Sequence, residues 1–113
     1  MSSEIIEYPS DRLLSEVLEK YNGNIILYFG TGWCKNCAPY KAKVLNELHK
    51  IIPNVQIIHA NGDELNELCD ELNIEGFPTT IVYSHGKSKL RFEGYDTKQP
   101  LKTITSIVKC YAS

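Results

Sequence analysis

Long hydrophobic runs are missing from this chain. The longest unbroken apolar stretch is Ile25 to Phe29, far short of the ~20 residues that a membrane-spanning helix needs. There is no polybasic run either, because 12 Lys+Arg are dispersed among 14 Asp+Glu for a formal charge of −2. Binding to nucleic acid or an anionic membrane rests on clustered Lys and Arg, so neither partner is expected. The N-terminus opens with Glu4 and Glu7, with no continuous apolar segment after them. No secretory signal is expected on this reading, and a cytoplasmic protein is expected unless a leader has been trimmed. Four cysteines, Cys34, Cys37, Cys69 and Cys110, are too few and too unevenly spaced for a disulfide scaffold. Repeats, low-complexity segments and Gly/Ser/Pro-rich linkers are absent as well.

What remains is an ordinary globular composition, 42% apolar and 23% charged over 113 residues, which leaves room for one domain of typical size and a sizeable core. A single domain over residues 1–113 is expected. Glu4 to Tyr8 is a short strand, Pro9-Ser10-Asp11 starts a helix, and Leu13, Leu14, Val17, Leu18 and Tyr21 recur at helical spacing until Asn22-Gly23-Asn24. Ile25 to Phe29 suits a central strand buried on both faces. A second helix should run from about Cys34 towards Ile52, with Val44, Leu45, Leu48, Ile51 and Ile52 inward and Pro53-Asn54 ending it. Val55, Ile57 and Ile58 make the next strand, and a helix from about Asp63 carries Leu65, Leu68, Cys69 and Leu72. Thr79 to Ser84 and Ser88 to Glu93 read as a hairpin through His85-Gly86, and a last helix from about Thr97 carries Leu101, Ile104, Ile107, Val108 and Tyr111. The order is β-α-β-α-β-α-β-β-α, an α/β fold with parallel strands joined by helical crossovers, then an antiparallel hairpin and a closing helix.

Trp33-Cys34-Lys35-Asn36-Cys37 falls at a strand-to-helix junction. Cys34 at a helix N-terminus would have free N–H groups and the helix dipole to favour its thiolate, and Lys35 adds a positive charge. Cys37, one turn further on, faces the same side, which lets the two sulfurs close a small ring while Cys34 stays the more accessible. A structural pair or half of a zinc site are the alternatives, but zinc needs a second pair of ligands, and Cys69 and Cys110 are not spaced to supply it.

In this motif the sequence resembles the thioredoxin family, and the resemblance covers essentially the whole chain. Gly76-Phe77-Pro78-Thr79 is similar to the family's loop with a cis-proline beside the disulfide, Asp63 fits the layout, Gly86 matches the hairpin glycine and Gly94 the glycine beside the substrate groove. The resemblance implies a thioredoxin fold, a central mixed sheet flanked by helices, and thiol–disulfide exchange without metal or organic cofactor. Cys34 would be the nucleophile and Cys37 the resolving thiol. Pro78 would shape the groove and keep metal from Cys34, the Phe77 backbone would pair with an extended substrate segment, and Trp33 would supply an apolar wall. Lys35, Asn36 and Gly94 would complete the groove. Partners would be disulfide-containing proteins and a separate recycling disulfide reductase, with the chain itself a monomer.

Three positions depart from the family pattern. The buried acid six residues before the first cysteine is Tyr28 here, and a phenol is a poor base near neutral pH. The lysine near that acid is replaced by His59, which suggests that His59 takes over part of the proton transfer; the alternative is a packed strand-end histidine. The helix proline five residues after the second cysteine is Ala42, while Pro39 comes earlier, so altered first turns are expected rather than a broken helix. Lys35-Asn36 leaves the redox poise open. Cys69 reads as an inert core thiol, Cys110 as a residue flanking the terminal helix stripe, His49 as a solvated helix residue, His85 as a turn residue, and Tyr83 and Phe92 as packing residues. The sequence therefore points to a protein disulfide reductase and dithiol electron carrier. An oxidase or isomerase, or a binding module with incidental redox activity, are the other readings.

Overall fold

Around the apolar run Ile25 to Phe29 the chain builds β2 (Asn24–Gly30), the middle strand of a five-stranded sheet. The computed structural model describes residues 5–21, 23–52 and 54–112, with side chains as far as residue 109. The other strands are β1 (Ile5–Glu7), β3 (Val55–Asn61), β4 (Thr79–Ser84) and β5 (Lys87–Glu93), in the spatial order β1-β3-β2-β4-β5. β1 and β2 both run parallel to β3, whereas β4 is antiparallel to β2 and to β5. This is the expected mixed sheet. Two parallel crossovers carry helices, and the closing hairpin turns on His85 (φ 50) and Gly86 (φ 82), the paired positive φ values that a two-residue hairpin loop requires.

Alternation along β2 divides the core in two. Ile25, Leu27 and Phe29 face α1 (Leu14–Lys20) and α4 (Asn66–Glu71), packing with Val17, Leu68 and Cys69. Ile26 and Tyr28 face the other way, towards Tyr40, Val44, Leu45 and Leu48 and towards Ile107 of α5 (Pro100–Ala112). Both faces of β2 are covered, so from Ile25 onward every residue of it is buried.

The helix expected from Cys34 to Ile52 begins later and is not uniform. It comprises α2 (Cys37–Tyr40), a π-helical segment (Lys41–Leu45) and α3 (Asn46–Ile51). The alteration expected in the first turns thus lies one turn further on. Ahead of that segment Pro39 lies in the first turn of α2, where a missing N–H costs the ladder no bond, and the Lys41 N–H is shared between the Ala38 and Cys37 carbonyls.

Other helix ends also differ from expectation. Pro9-Ser10-Asp11 does not start α1; its N-cap is Leu13, 69% exposed, whose N–H is taken by the Glu16 carboxylate at 3.0 Å. α4 starts after Asp63 because Asn61 draws residues 63–65 into a turn, its side chain accepting the Asp63 N–H and its carbonyl those of Glu64 and Leu65. α5 starts at Pro100 rather than Thr97, as the Asp96 side chain and carbonyl hold Lys98 and Gln99 in a turn. Leu101, in its first turn, is exposed, as is Ile51, contrary to expectation, whereas Ile52, in extended backbone past α3, is buried as expected. Tyr83 is buried and Phe92 packs against the core. Glu4, Asn22 and Pro53, and the side chains of Cys110 and Tyr111, lie outside the described residues.

Candidate active site

β2 ends at Gly30, and the chain makes two turns before entering α2, so the Cys34-Lys35-Asn36-Cys37 segment bridges strand and helix. Cys34 therefore stands ahead of the helix rather than at its first residue, and it is Cys37 that opens α2. The Cys34 N–H donates to the Thr31 carbonyl and the Cys37 N–H to the Cys34 carbonyl, each at 3.4 Å. The two cysteines are joined as a disulfide, with Cα atoms 5.4 Å apart. Cys34 is half-buried and Cys37 is buried, so solvent reaches the first sulfur more readily than the second.

Gly30 is fixed by this closeness. A Cβ there would lie 2.6 Å from the Tyr28 hydroxyl and 3.3 Å from the Cys37 sulfur, and only glycine leaves the space open. Gly62 has a similar role one strand over. Its N–H donates to the Gly30 carbonyl at 2.9 Å, and a side chain on it would overlap the Phe77 ring.

Phe77 joins the surrounding parts. Its ring meets that of Trp33 edge-on, with centroids 5.7 Å apart, and the indole N–H of the 66% exposed Trp33 donates to Asp63 at 3.0 Å. The Phe77–Pro78 peptide is cis. Thr79 pairs with Phe29, which brings the buried Pro78 alongside the end of β2 from which the cysteine turn departs. Gly94 (φ 82) donates its N–H to the Pro78 carbonyl at 2.7 Å. Lys35 and Asn36 are exposed, and the Asn36 side chain reaches the Tyr95 carbonyl at 3.5 Å. Trp33 and Phe77 are thus joined by their rings, Pro78 and Gly94 by their backbones, and Phe77 packs in the same cluster as Cys34 and Cys37.

Beneath the turn a row crosses the sheet on one face. Strand register sets Glu7 beside His59, His59 beside Tyr28, Tyr28 beside Thr80 and Thr80 beside Phe92. His59 Nδ1 meets the Glu7 carboxylate at 2.9 Å, and its ring lies against Tyr28 with centroids 5.3 Å apart. No hydrogen bond among the described residues joins His59 to either cysteine. Tyr28 stands nearer: its hydroxyl donates to the Cys37 carbonyl at 3.1 Å, and burial pushes the phenol up to about 12. Tyr40 stacks on Tyr28, hydrogen-bonds Thr80 and meets Tyr95 edge-on. Sequence reasoning singled out Tyr28 and His59 but missed Glu7, Tyr40, Thr80 and Tyr95. Only the register of strands distant in sequence brings these together; Gly30, directly ahead of the motif, was the one local signal.

Among the described residues no group of three or more His, Cys, Asp or Glu side chains could hold a metal ion. Burial raises the pKa of the Cys69 thiol, which sits in the core between α4 and the sheet.

Comparison with known proteins gives one consistent answer. The family model described as Thioredoxin matches residues 6–108. An H-type thioredoxin of Ricinus communis is 36% identical over 93 residues, which are 80% of this chain and 78% of that protein. The chloroplastic thioredoxin Y of Oryza sativa subsp. japonica is 30% identical over 80 residues, 70% of this chain, and there the chain spans about half (47%) of the relative's length. Among solved structures, oxidised thioredoxin O2 of Arabidopsis thaliana superposes with a TM-score of 0.72 at 25% identity, covering 96% of each chain. With the same family found by sequence and by fold along nearly its whole length, this chain belongs to the thioredoxin family of thiol–disulfide oxidoreductases.

Proposed function

We propose that the chain works as a protein disulfide reductase and dithiol electron carrier, with Cys34 as nucleophile and Cys37 as resolving thiol. The observation that carries this reading is the asymmetry of the pair: a half-buried Cys34 bonded to a buried Cys37 beside the Phe77–Pro78 loop. In the reduced protein the Cys34 thiolate attacks one sulfur of a substrate disulfide, forming a mixed disulfide and expelling the other substrate sulfur as a thiolate that takes a proton. Cys37, once deprotonated, attacks the Cys34 sulfur; the Cys34–Cys37 bond forms and the second substrate thiolate leaves. Two electrons pass from the pair to the substrate.

Trp33, Lys35, Asn36, Phe77, Pro78 and Gly94 form the substrate groove in this reading, the Phe77 backbone offering the site for an extended segment. Substrates are disulfide-containing proteins, and a separate disulfide reductase recycles the oxidised pair. The chain acts as one monomeric domain over residues 1–113, in the cytoplasm, where a reducing environment suits such a carrier. No helix among the described residues is long and apolar enough to cross a membrane. His59 is proposed to take over part of the proton transfer, from its place against Tyr28. Two sets of variants test the reading. Cys34→Ser abolishes reduction of a protein disulfide, whereas Cys37→Ser accumulates a mixed disulfide at Cys34, visible as an added mass. Equal activity in either variant overturns the assignment. His59→Ala shifts the pH profile of disulfide reduction; an unchanged profile removes His59 from the mechanism.

A further inference from the structure

The phenol of Tyr28 is held with unusual completeness. Its ring lies between two others, Tyr40 stacked at 5.4 Å with planes 17° apart and His59 tilted at 5.3 Å. Strand pairing fixes its backbone on both sides, to His59 in β3 and to Thr80 in β4. The residue is 2% exposed, and glycine at position 30 leaves open the space where its hydroxyl and the Cys37 sulfur come together. Ring and backbone being fixed, the hydroxyl has one direction in which to point, and there it meets the Cys37 carbonyl at 3.1 Å. That carbonyl also accepts the Lys41 N–H, so both of its lone pairs are engaged.

We propose that Tyr28 is a positioning residue for the resolving step: its hydroxyl pins the backbone of Cys37 at the first turn of α2, so that the Cys37 sulfur stays aimed at Cys34 while a substrate occupies it. The inference rests on the reading of Cys34 as nucleophile and Cys37 as resolving thiol. A phenol whose ionisation is pushed up to about 12 keeps its proton through the neutral range, so it serves as a hydrogen-bond donor and not as a base. The role is confined to one of the two chemical steps. Cys34 lies in the turn ahead of the helix and takes no part in the Tyr28 bond, and its attack on a substrate does not require Cys37 to be aligned. Resolution requires Cys37 to be close and aligned, which is where a misplacement costs rate.

Tyr28→Phe removes the hydroxyl and keeps the ring between its neighbours. With dithiobis(nitrobenzoate) as probe, the reduced protein releases one nitrothiolate when Cys34 attacks and a second when Cys37 resolves, and at probe concentrations that make the attack the faster step the two appear as separate absorbance phases. Loss of one buried hydrogen bond corresponds to about a two- to tenfold effect, and Tyr28→Phe slows the second phase by that factor while the first is unchanged. Two unchanged phases, or two phases slowed in equal proportion as a general loss of packing would give, overturn the proposal. A wild-type protein that releases no nitrothiolate overturns the reductase reading instead. A measurement without any variant covers the case in which Tyr28→Phe does not fold. With carbon-13 placed in the Cys37 carbonyl of the wild-type protein, the doubly bonded carbonyl absorbs in the infrared below a singly bonded helical carbonyl, in the oxidised and the reduced forms alike. A band at the ordinary helical position in either form contradicts the proposal.

Discussion

Tyr28 and Gly30, two residues apart on one strand, decide how closely the sheet and the disulfide approach each other. Tyr28 fills the space beneath the pair with a neutral ring; Gly30 keeps a side chain out of the gap between that ring's hydroxyl and the Cys37 sulfur. Keeping phenols buried has a consequence for stability at high pH. A free tyrosine loses its proton near pH ~10, whereas burial holds Tyr28 to about 12 and also raises Tyr8, Tyr40 and Tyr83. Between the two values the unfolded chain binds fewer protons than the folded one, so these groups contribute fully below pH ~10 and their contribution is lost as pH rises towards the folded values. Denaturant midpoints are therefore expected to be level through the neutral range and to fall in alkali, less steeply for Tyr28→Phe. A midpoint that stays level while phenolate absorbance grows contradicts this account of the buried tyrosines.

At the scale of elements, the C-terminal end of α4 is tied to the far edge of the sheet by one side chain. Arg91 on β5 donates to the Leu72 carbonyl at 2.6 Å and to the Asn73 carbonyl at 2.7 Å, taking up carbonyls that the end of a helix leaves without partners. It also pairs with Glu93 at 3.1 Å, an exposed contact that adds little. Arg91→Ala is expected to lower stability by about 0.5–1.5 kcal/mol and to speed amide exchange in the last turn of α4. Lysine cannot span both carbonyls and should rescue little of the loss. A change in stability under about 0.5 kcal/mol, the range of ordinary surface substitutions, shows that the clamp is idle. Elements differed in how much of them was legible in the sequence. β2 was, because five apolar residues in a row suit a strand covered on both faces; so was the hairpin, because His85-Gly86 supplies the two positive φ values. Helix starts were misjudged where a side chain several residues away took the first N–H groups, as Glu16 does for Leu13. The π-helical segment was hidden, since Lys41–Leu45 are residues that an ordinary α-helix takes equally well and no local residue marks the wider turn.

For the molecule as a whole, the two core clusters back β2 from opposite sides, and the disulfide sits where that strand gives way to α2. The cysteine pair and the Pro78 loop were legible from local motifs. The row from Glu7 through His59, Tyr28 and Thr80 to Phe92 was not, because it draws one residue from each of five strands whose spatial order differs from their order in the chain. A reducing dithiol is what this assembly is proposed to present. Trp33, the single tryptophan, lies next to Cys34 in sequence and packs edge-on against Phe77, which makes it a reporter of the state of the pair. The most direct test is the reduction potential of Cys34–Cys37, followed by Trp33 fluorescence across a series of thiol–disulfide buffers. A reductase is expected near the thioredoxin value of about −270 mV; a value near about −120 mV, that of a strong oxidant, would contradict the account.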